Sequence, residues 1–181
     1  PKASVPLREI PWEPEQDYVG GKHLVYPNEP VEYSLSGAVE MAALLTPDGT
    51  HRRAACYFWS PSFAVTLDIP AGDYQLSLYF VDYDSYARGE LAVVSSSLGS
   101  APTTTVVGFH EGVHEIYELH PTSPDTVTIT LTWTSGANAV ISGVFLDSTG
   151  PGTGISYVGE DSTTKGNWVG AYGSLWYLLC A

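Results

Sequence analysis

The clearest alternation of apolar and polar positions in the chain runs from Tyr74 to Phe80. Tyr74, Leu76, Leu78 and Phe80 recur with a period of two, so one face of an extended segment carries four large apolar groups. Gln75, Ser77, Tyr79 and Val81 fall on the other face, which reads as partly wet. Pro70-Ala71-Gly72-Asp73 supplies a turn before this strand, and the chain becomes polar after it at Asp82, Asp84, Ser85, Arg88 and Gly89. Comparable segments follow one another at even spacing: residues 54–59, 63–69, 90–95, 103–107, 113–119, 126–133 and 139–147. In 63–69, Phe63, Val65, Leu67 and Ile69 point inward; in 126–133, Val127, Ile129, Leu131 and Trp133 do so against four Thr on the opposite face. Short strands separated by turns, almost without helical patterning, predict an all-β fold: an antiparallel β-sandwich of jelly-roll type.

The margins read differently. Residues 1–49 form an expected Pro-rich arm and lead-in, with Pro1, Pro6, Pro11, Pro14, Pro27 and Pro30 excluding long helices. Short edge strands are expected at 23–26 and 31–35, a short helix at 38–45, and a turn at Thr46-Pro47-Asp48-Gly49. Residues 50–148 are the sandwich core. Residues 149–154, dominated by Gly and Thr, read as a linker that packs on nothing. Residues 155–181 carry Tyr157, Val158, Trp168, Val169, Tyr172, Leu175, Trp176, Tyr177, Leu178 and Leu179. A segment so apolar must dock, completing this sandwich or a neighbouring one.

Composition narrows the function classes. The chain has 181 residues, 44% hydrophobic, with only seven Lys and Arg and a formal net charge of −13. Nucleic acid is excluded as a partner, since phosphate binding needs clustered cations, and an anionic membrane surface is disfavoured on the same ground. There is no run of about twenty apolar residues, so membrane insertion by a helix is not expected. Twelve Tyr, five Trp and five Phe suit both sugar stacking and sandwich packing. Cys56 and Cys180 are too few for a disulfide framework; a pair and two separate thiols both fit. The chain starts at Pro1 with no initiator Met, which reads as a processed, excised or incompletely represented chain.

Three groups of residues carry candidate chemistry. His110-Glu111-Gly112-Val113-His114 matches the zinc-protease spacing, but Gly112 interrupts any helix and 113–119 alternates like a strand, so a chance match is expected. Asp82, Asp84, Ser85 and Glu90 follow the central strand as an acidic stretch. Asp82 and Asp84 are candidate acceptors of sugar hydroxyls, Arg88 a candidate donor, and Tyr83 and Tyr86 candidate stacking faces; the alternative is a solvated turn in which Arg88 pairs with Asp84. Carboxylate oxygens also suit Ca2+, although the EF-hand glycine spacing is missing, and no cofactor or metal is expected. Trp168 and Tyr172, in the Gly-punctuated stretch 159–174, complete the set of candidate ligand residues, with packing onto the sheet as their alternative role. No catalytic residue is assigned.

Three stretches carry a family resemblance: Ala54-Ala55-Cys56-Tyr57; Tyr79-Phe80-Val81-Asp82-Tyr83-Asp84-Ser85 with Arg88; and Asn138-Ala139-Val140-Ile141-Ser142-Gly143-Val144-Phe145. Together they resemble a non-catalytic β-sandwich module of the galactose-binding-like superfamily, found in large secreted bacterial proteins. Gly72-Asp73-Tyr74-Gln75-Leu76-Ser77-Leu78-Tyr79-Phe80 is loosely similar to malectin-like domains. The stretch 159–174 resembles a motif that usually precedes that sandwich, and here it follows it. Over residues 50–175 the resemblance implies a non-enzymatic, extracellular or cell-surface module that binds a glycan. The alternative is a structural subunit of an extracellular filament or surface assembly. In it the terminal segments self-associate by strand exchange and so build an open polymer.

Overall fold

The computed structural model describes residues 22–25 and 40–180. Their strands are β1 (Lys22–Val25), β2 (Leu44–Leu45), β3 (Arg52–Arg53), β4 (Ala55–Trp59), β5 (Ser62–Ile69), β6 (Tyr74–Phe80), β7 (Gly89–Ser96) and β8 (Gly99–Ser100). The remainder are β9 (Thr104–Val107), β10 (Val113–His120), β11 (Asp125–Ser135), β12 (Ala139–Ile141), β13 (Gly143–Ser148), β14 (Gly154–Asp161) and β15 (Trp176–Leu179). The first large sheet runs β14-β10-β6-β13-β15, with β6 at its centre, and the second runs β5-β11-β7, with β8 and β9 both pairing the far edge of β7. Two small sheets, β1-β4-β12 and β2-β3, close the architecture. The strands pair antiparallel, so the protein is an all-β antiparallel sandwich.

The main core lies between the large sheets. Leu76, Leu78 and Phe80 of β6 face Ala92 and Val94 of β7 and Ile129 and Leu131 of β11, all fully buried. Period-two burial in β5 and β11 follows directly from their alternating sequences, and burying these side chains drives the layers together. β12 and β13 are one extended stretch that changes sheets at Ser142, pairing β4 before it and β6 after it.

A second core covers the outer face of the first sheet. Tyr79, Val81, Phe145, Trp168 and Tyr172 pack there with Ala42 and Leu44. Two segments lie over this face: the lead-in 41–45, and the strap 162–175 that joins β14 to β15. They lock to each other through backbone bonds, Gly166 N–H to Met41 O at 2.9 Å and Leu45 N–H to Gly166 O at 3.0 Å. Arg52, buried, donates to the carbonyls of Met41 and Ala43 and to Asn167 Oδ1. Tyr79 donates its hydroxyl to Ala42 O at 2.6 Å. Of the face expected to be partly wet, Ser77, Tyr79 and Val81 are therefore dry and Gln75 stays half-buried, because the lead-in and the strap cover it.

Two further expectations change. The short helix at 38–45 is instead a single 3-10 turn over Glu40–Ala42 followed by β2; eight residues cannot sustain an isolated helix, and docking on the sheet decides their conformation. The Gly- and Thr-rich stretch after β13 does pack. Thr149 N–H bonds Asp73 O, Thr149 Oγ1 bonds Glu118, Gly152 N–H reaches Asp73 Oδ1, and Gly152 lies against the His120 ring, where a Cβ would sit 2.4 Å from Nε2. It is a tied crossover, and Gly154 already belongs to β14. The C-terminal segment adds its strands to both edges of its own first sheet. The strand expected at 31–35 lies outside the described residues, whereas that at 23–26 corresponds to β1.

Candidate functional site

The polar stretch after β6 folds into a loop held by one ion-pair network. Asp82 Oδ1 accepts from Arg88 Nη1 at 2.5 Å and from Tyr86 N–H at 3.2 Å, and its Oδ2 accepts from Arg88 N–H at 3.1 Å. Arg88 also donates to both oxygens of Asp84 and, through Nε, to Asn138 Oδ1 at 2.9 Å. Asp82 carbonyl accepts from Ser85 N–H and from His110 Nδ1. Ser85 and Ala87 sit at φ 59° and 53°, a left-handed conformation that non-glycine residues adopt only when the surroundings enforce it. The network is that enforcement.

Asp82 and Arg88 were expected to meet ligand. The structure turns them inward instead, since each is 4% exposed and their charges neutralise one another inside the loop. Asp84 shares the Arg88 guanidinium, as the solvated-turn alternative has it, but in a far less solvated setting. Tyr83 packs against the outer core. Tyr86 alone of this group stands out, 59% exposed, its ring 5.2 Å from the Arg88 guanidinium carbon.

Trp168 and Tyr172 lie elsewhere, in the strap, and spend their aromatic faces on packing. Trp168 is 3% exposed, donates Nε1–H to Leu45 O at 2.7 Å, and meets the Phe145 and Tyr177 rings. Tyr172 is 9% exposed, stacks on His114 and donates its hydroxyl to Asp161 Oδ2 at 2.8 Å. The seven candidate ligand residues thus divide between two places, and of them Tyr86 alone is exposed.

Trp133 is an exposed aromatic that periodicity misplaced. Alternation along β11 points it inward, but the pairing with β5 ends at Thr132 and the pairing with β7 shifts between Trp133 and Ser135. The indole is 38% exposed, and its Nε1–H donates to Gly136 O at 3.1 Å. Gly136, at φ 75°, abuts the Tyr86 loop: a Cβ there would lie 2.7 Å from Tyr86 O and 2.7 Å from Arg88 Cα. The 133–136 turn and the 86–88 loop are therefore in contact, and each carries one exposed ring, Trp133 in the first and Tyr86 in the second. The sequence signal was the Gly-containing turn directly after Trp133, which marks the strand's end.

Other titratable groups are accounted for. Glu90 is buried, its Oε2 accepts Val140 N–H at 2.7 Å, and burial raises its pKa well above the ordinary carboxylate range. The His-Glu-x-x-His match is dispersed: His110 joins the Asp82 loop, Glu111 pairs with Lys165, and His114 is buried under the strap. Among the described residues no group of three or more His, Cys, Asp or Glu is arranged to hold a metal ion, and no helix is long and apolar enough to cross a membrane.

No family model matches this chain, and no curated protein matches it. Among solved structures, that of TmCBM61 in complex with beta-1,4-galactotriose aligns with 74% of this chain and 85% of its own, at 15% identity and a TM-score of 0.41. The sandwich architecture rests on the strand pairing within this chain, and the site on its own residues.

Proposed function

We propose that the protein is a non-enzymatic carbohydrate-binding β-sandwich module, set outside the cell, whose ligand face is the Tyr86–Trp133 rim. The carrying observation is the pair of exposed aromatic rings on two touching turns, one of them fixed from beneath by the buried Asp82–Arg88–Asp84 network. Aromatic rings on a fixed loop offer an apolar face to the C–H side of a pyranose at small entropic cost. The net charge of −13 favours a neutral glycan over a uronate or sulfated one. A hydrolase is not favoured, because Asp82 and Asp84 both accept from Arg88 and Glu90 lies in the core.

The test is a neutral-glycan array followed by calorimetry on the best-retained oligosaccharide. Tyr86→Ala and Trp133→Ala are each expected to weaken binding by roughly tenfold or more while leaving the melting temperature near that of the parent, as for loss of a stacking face. Trp168→Phe, deep in the strap, leaves affinity unchanged. Retention of full affinity by both rim variants overturns the reading. The strand-exchanged assembly keeps one supporting observation, that the segment 154–179 joins both edges of a sheet through backbone pairing. Its docking on its own sandwich favours the monomeric binder.

A further inference from the structure

The two cysteines meet at the place where the chain changes sheets. The pairing of β4 with β12 ends at Tyr57 opposite Ile141, and that of β15 with β13 ends at Leu179 opposite Gly143. Ser142 stands between those two pairs. Cys56 is the next residue of β4 beyond the first pair, and Cys180 the next residue of the chain beyond the second. The approach of Cys180 is direct: its N–H donates to Ser142 O at 3.1 Å. Its sulfur accepts the backbone N–H of Tyr57, the residue bonded to Cys56. Cys180 therefore fills the strand position beside β4 that the chain vacates on leaving for β13. Both side chains are buried in the same core cluster.

We propose that Cys56 and Cys180 are the two halves of a disulfide that staples the C-terminal strand to β4. The structure carries them as thiols, which is the reduced state of the pair. In the oxidation two S–H bonds break and one S–S bond forms. Two electrons and the two protons pass to a disulfide oxidant of the glutathione class, whose S–S bond breaks as it is reduced to two thiols. The route is thiol–disulfide exchange through a mixed disulfide, which Cys56 or Cys180 then resolves. Burial disfavours the thiolates, pushing the Cys56 thiol up to about 12 and that of Cys180 well above its usual value. Exchange consequently waits for the end of β15 to open. The consequence is functional. The bond closes the strap over the outer face, so the C-terminal segment is exchangeable with a second copy only in the reduced chain. Cross-linking residues so far apart in sequence also removes much of the freedom of the unfolded chain.

The experiment uses the full chain, held a few degrees below its melting temperature in a buffer of oxidised and reduced glutathione, then denatured and alkylated with iodoacetamide. The expected product is monomeric, carries no alkyl group, and is lighter by two hydrogen atoms. Without reduction, digestion yields a peptide joining the Cys56 segment to the C-terminus. Its melting temperature exceeds that of the same chain in dithiothreitol, and Cys180→Ala and Cys56→Ala show no dependence on reductant. Two alkyl groups per chain after oxidation, glutathione retained on both sulfurs, or a disulfide-linked dimer overturns the proposal. These readings come from the parent chain and hold even where a variant folds poorly.

Discussion

His114 lies against Tyr172 with their ring centroids 4.3 Å apart and 25° between ring planes, so the second strand of the first sheet and the C-terminal strap share one buried stack. His114 is fully buried and satisfied at both nitrogens: Nε2–H donates to Lys165 O at 2.8 Å, and Nδ1 accepts the Ser77 hydroxyl at 2.8 Å. The carbonyl only accepts, so the neutral tautomer is determined. Around it stand Tyr79, Phe145 and Asp161, the last receiving the Tyr172 hydroxyl.

Burial lowers the His114 pKa from 6.5 to about 4, with the Lys165 carbonyl and Asp161 opposing. The folded state thus binds this proton less readily than the unfolded chain does. Stability from this site is complete above the unfolded pKa and is lost as pH falls toward the folded one, by about 3 kcal/mol in all. Urea unfolding followed between about pH 7.5 and pH 4.5 is expected to show that loss, and His114→Gln is expected to flatten it. A profile as steep in His114→Gln as in the parent would assign acid lability to other groups.

Glu115 works in the opposite sense. It is buried on β10 and accepts the Tyr157 hydroxyl at 2.7 Å, and burial pushes its pKa from 4.5 to about 6. A raised carboxyl pKa means that folding favours the neutral acid, so ionisation above that pH costs stability. Glu115→Gln keeps an acceptor for Tyr157 and removes the charge. The gain is about 2 kcal/mol at neutral pH, the size of that shift. The same substitution is expected to be nearly silent near pH 4.5, and equal effects at both pH values would mean that the charge is not the cause.

Arg88 is the residue that holds the loop carrying Tyr86. Removing it leaves Asp82 buried and Asp84 largely so, both without their guanidinium. Arg88→Ala is expected to cost about 3–5 kcal/mol and to release the strained turn at Ser85 and Ala87. Arg88→Lys restores the charge but not the fork that reaches Asn138, and should recover only part of the loss. Chemical denaturation of the two variants beside Tyr86→Ala separates the scaffold from the rim: only the rim variant keeps parental stability.

The main core was legible in the sequence because each inward residue of β5, β6 and β11 announces itself within its own strand, through a period of two. The outer core was not. Ser77 and Tyr79 read as a half-wet face, and both are fully buried. What buries them comes from Ala42 and Leu44 on one side and from Trp168 and Tyr172 on the other, and no local pattern records a contact of that span. How the candidate residues are engaged was not legible for a related reason. Residue type identified Asp82, Arg88 and Trp168 as groups able to bind sugar, but only three-dimensional pairing shows that their binding capacity is already used. Of the candidates Tyr86 keeps an exposed ring, with the Arg88 guanidinium on it, and Trp133 was read as inward because alternation carries no sign that the β5 pairing ends one residue before it and the β7 pairing shifts just after it.

Gly166 tests whether lead-in and strap form one unit. Its N–H and C=O bond Met41 and Leu45, and a Cβ built on it would lie 2.0 Å from Ala43 O. That neighbour is backbone, so it cannot rotate away. Gly166→Ala must therefore push lead-in and strap apart, at a cost of about 2 kcal/mol or more. Separation would expose Trp168, Phe145 and Tyr79 together, because these rings share the outer core. Gly150→Ala is the matched control, since a Cβ there meets nothing within 4 Å. Differential scanning calorimetry is expected to show a lowered transition for Gly166→Ala alone. Hydrogen exchange should rise first at Leu45 and Gly166, whose amides bond across the contact. A chain ending at Gly150 carries the same argument to its limit. It lacks β14, β15 and the whole strap, leaving β10 and β13 as bare edges beneath an open aromatic face. Light scattering over a range of concentrations is expected to find the full chain monomeric and the shortened chain aggregated. A shortened chain that stays folded and monomeric would show that the outer core is dispensable.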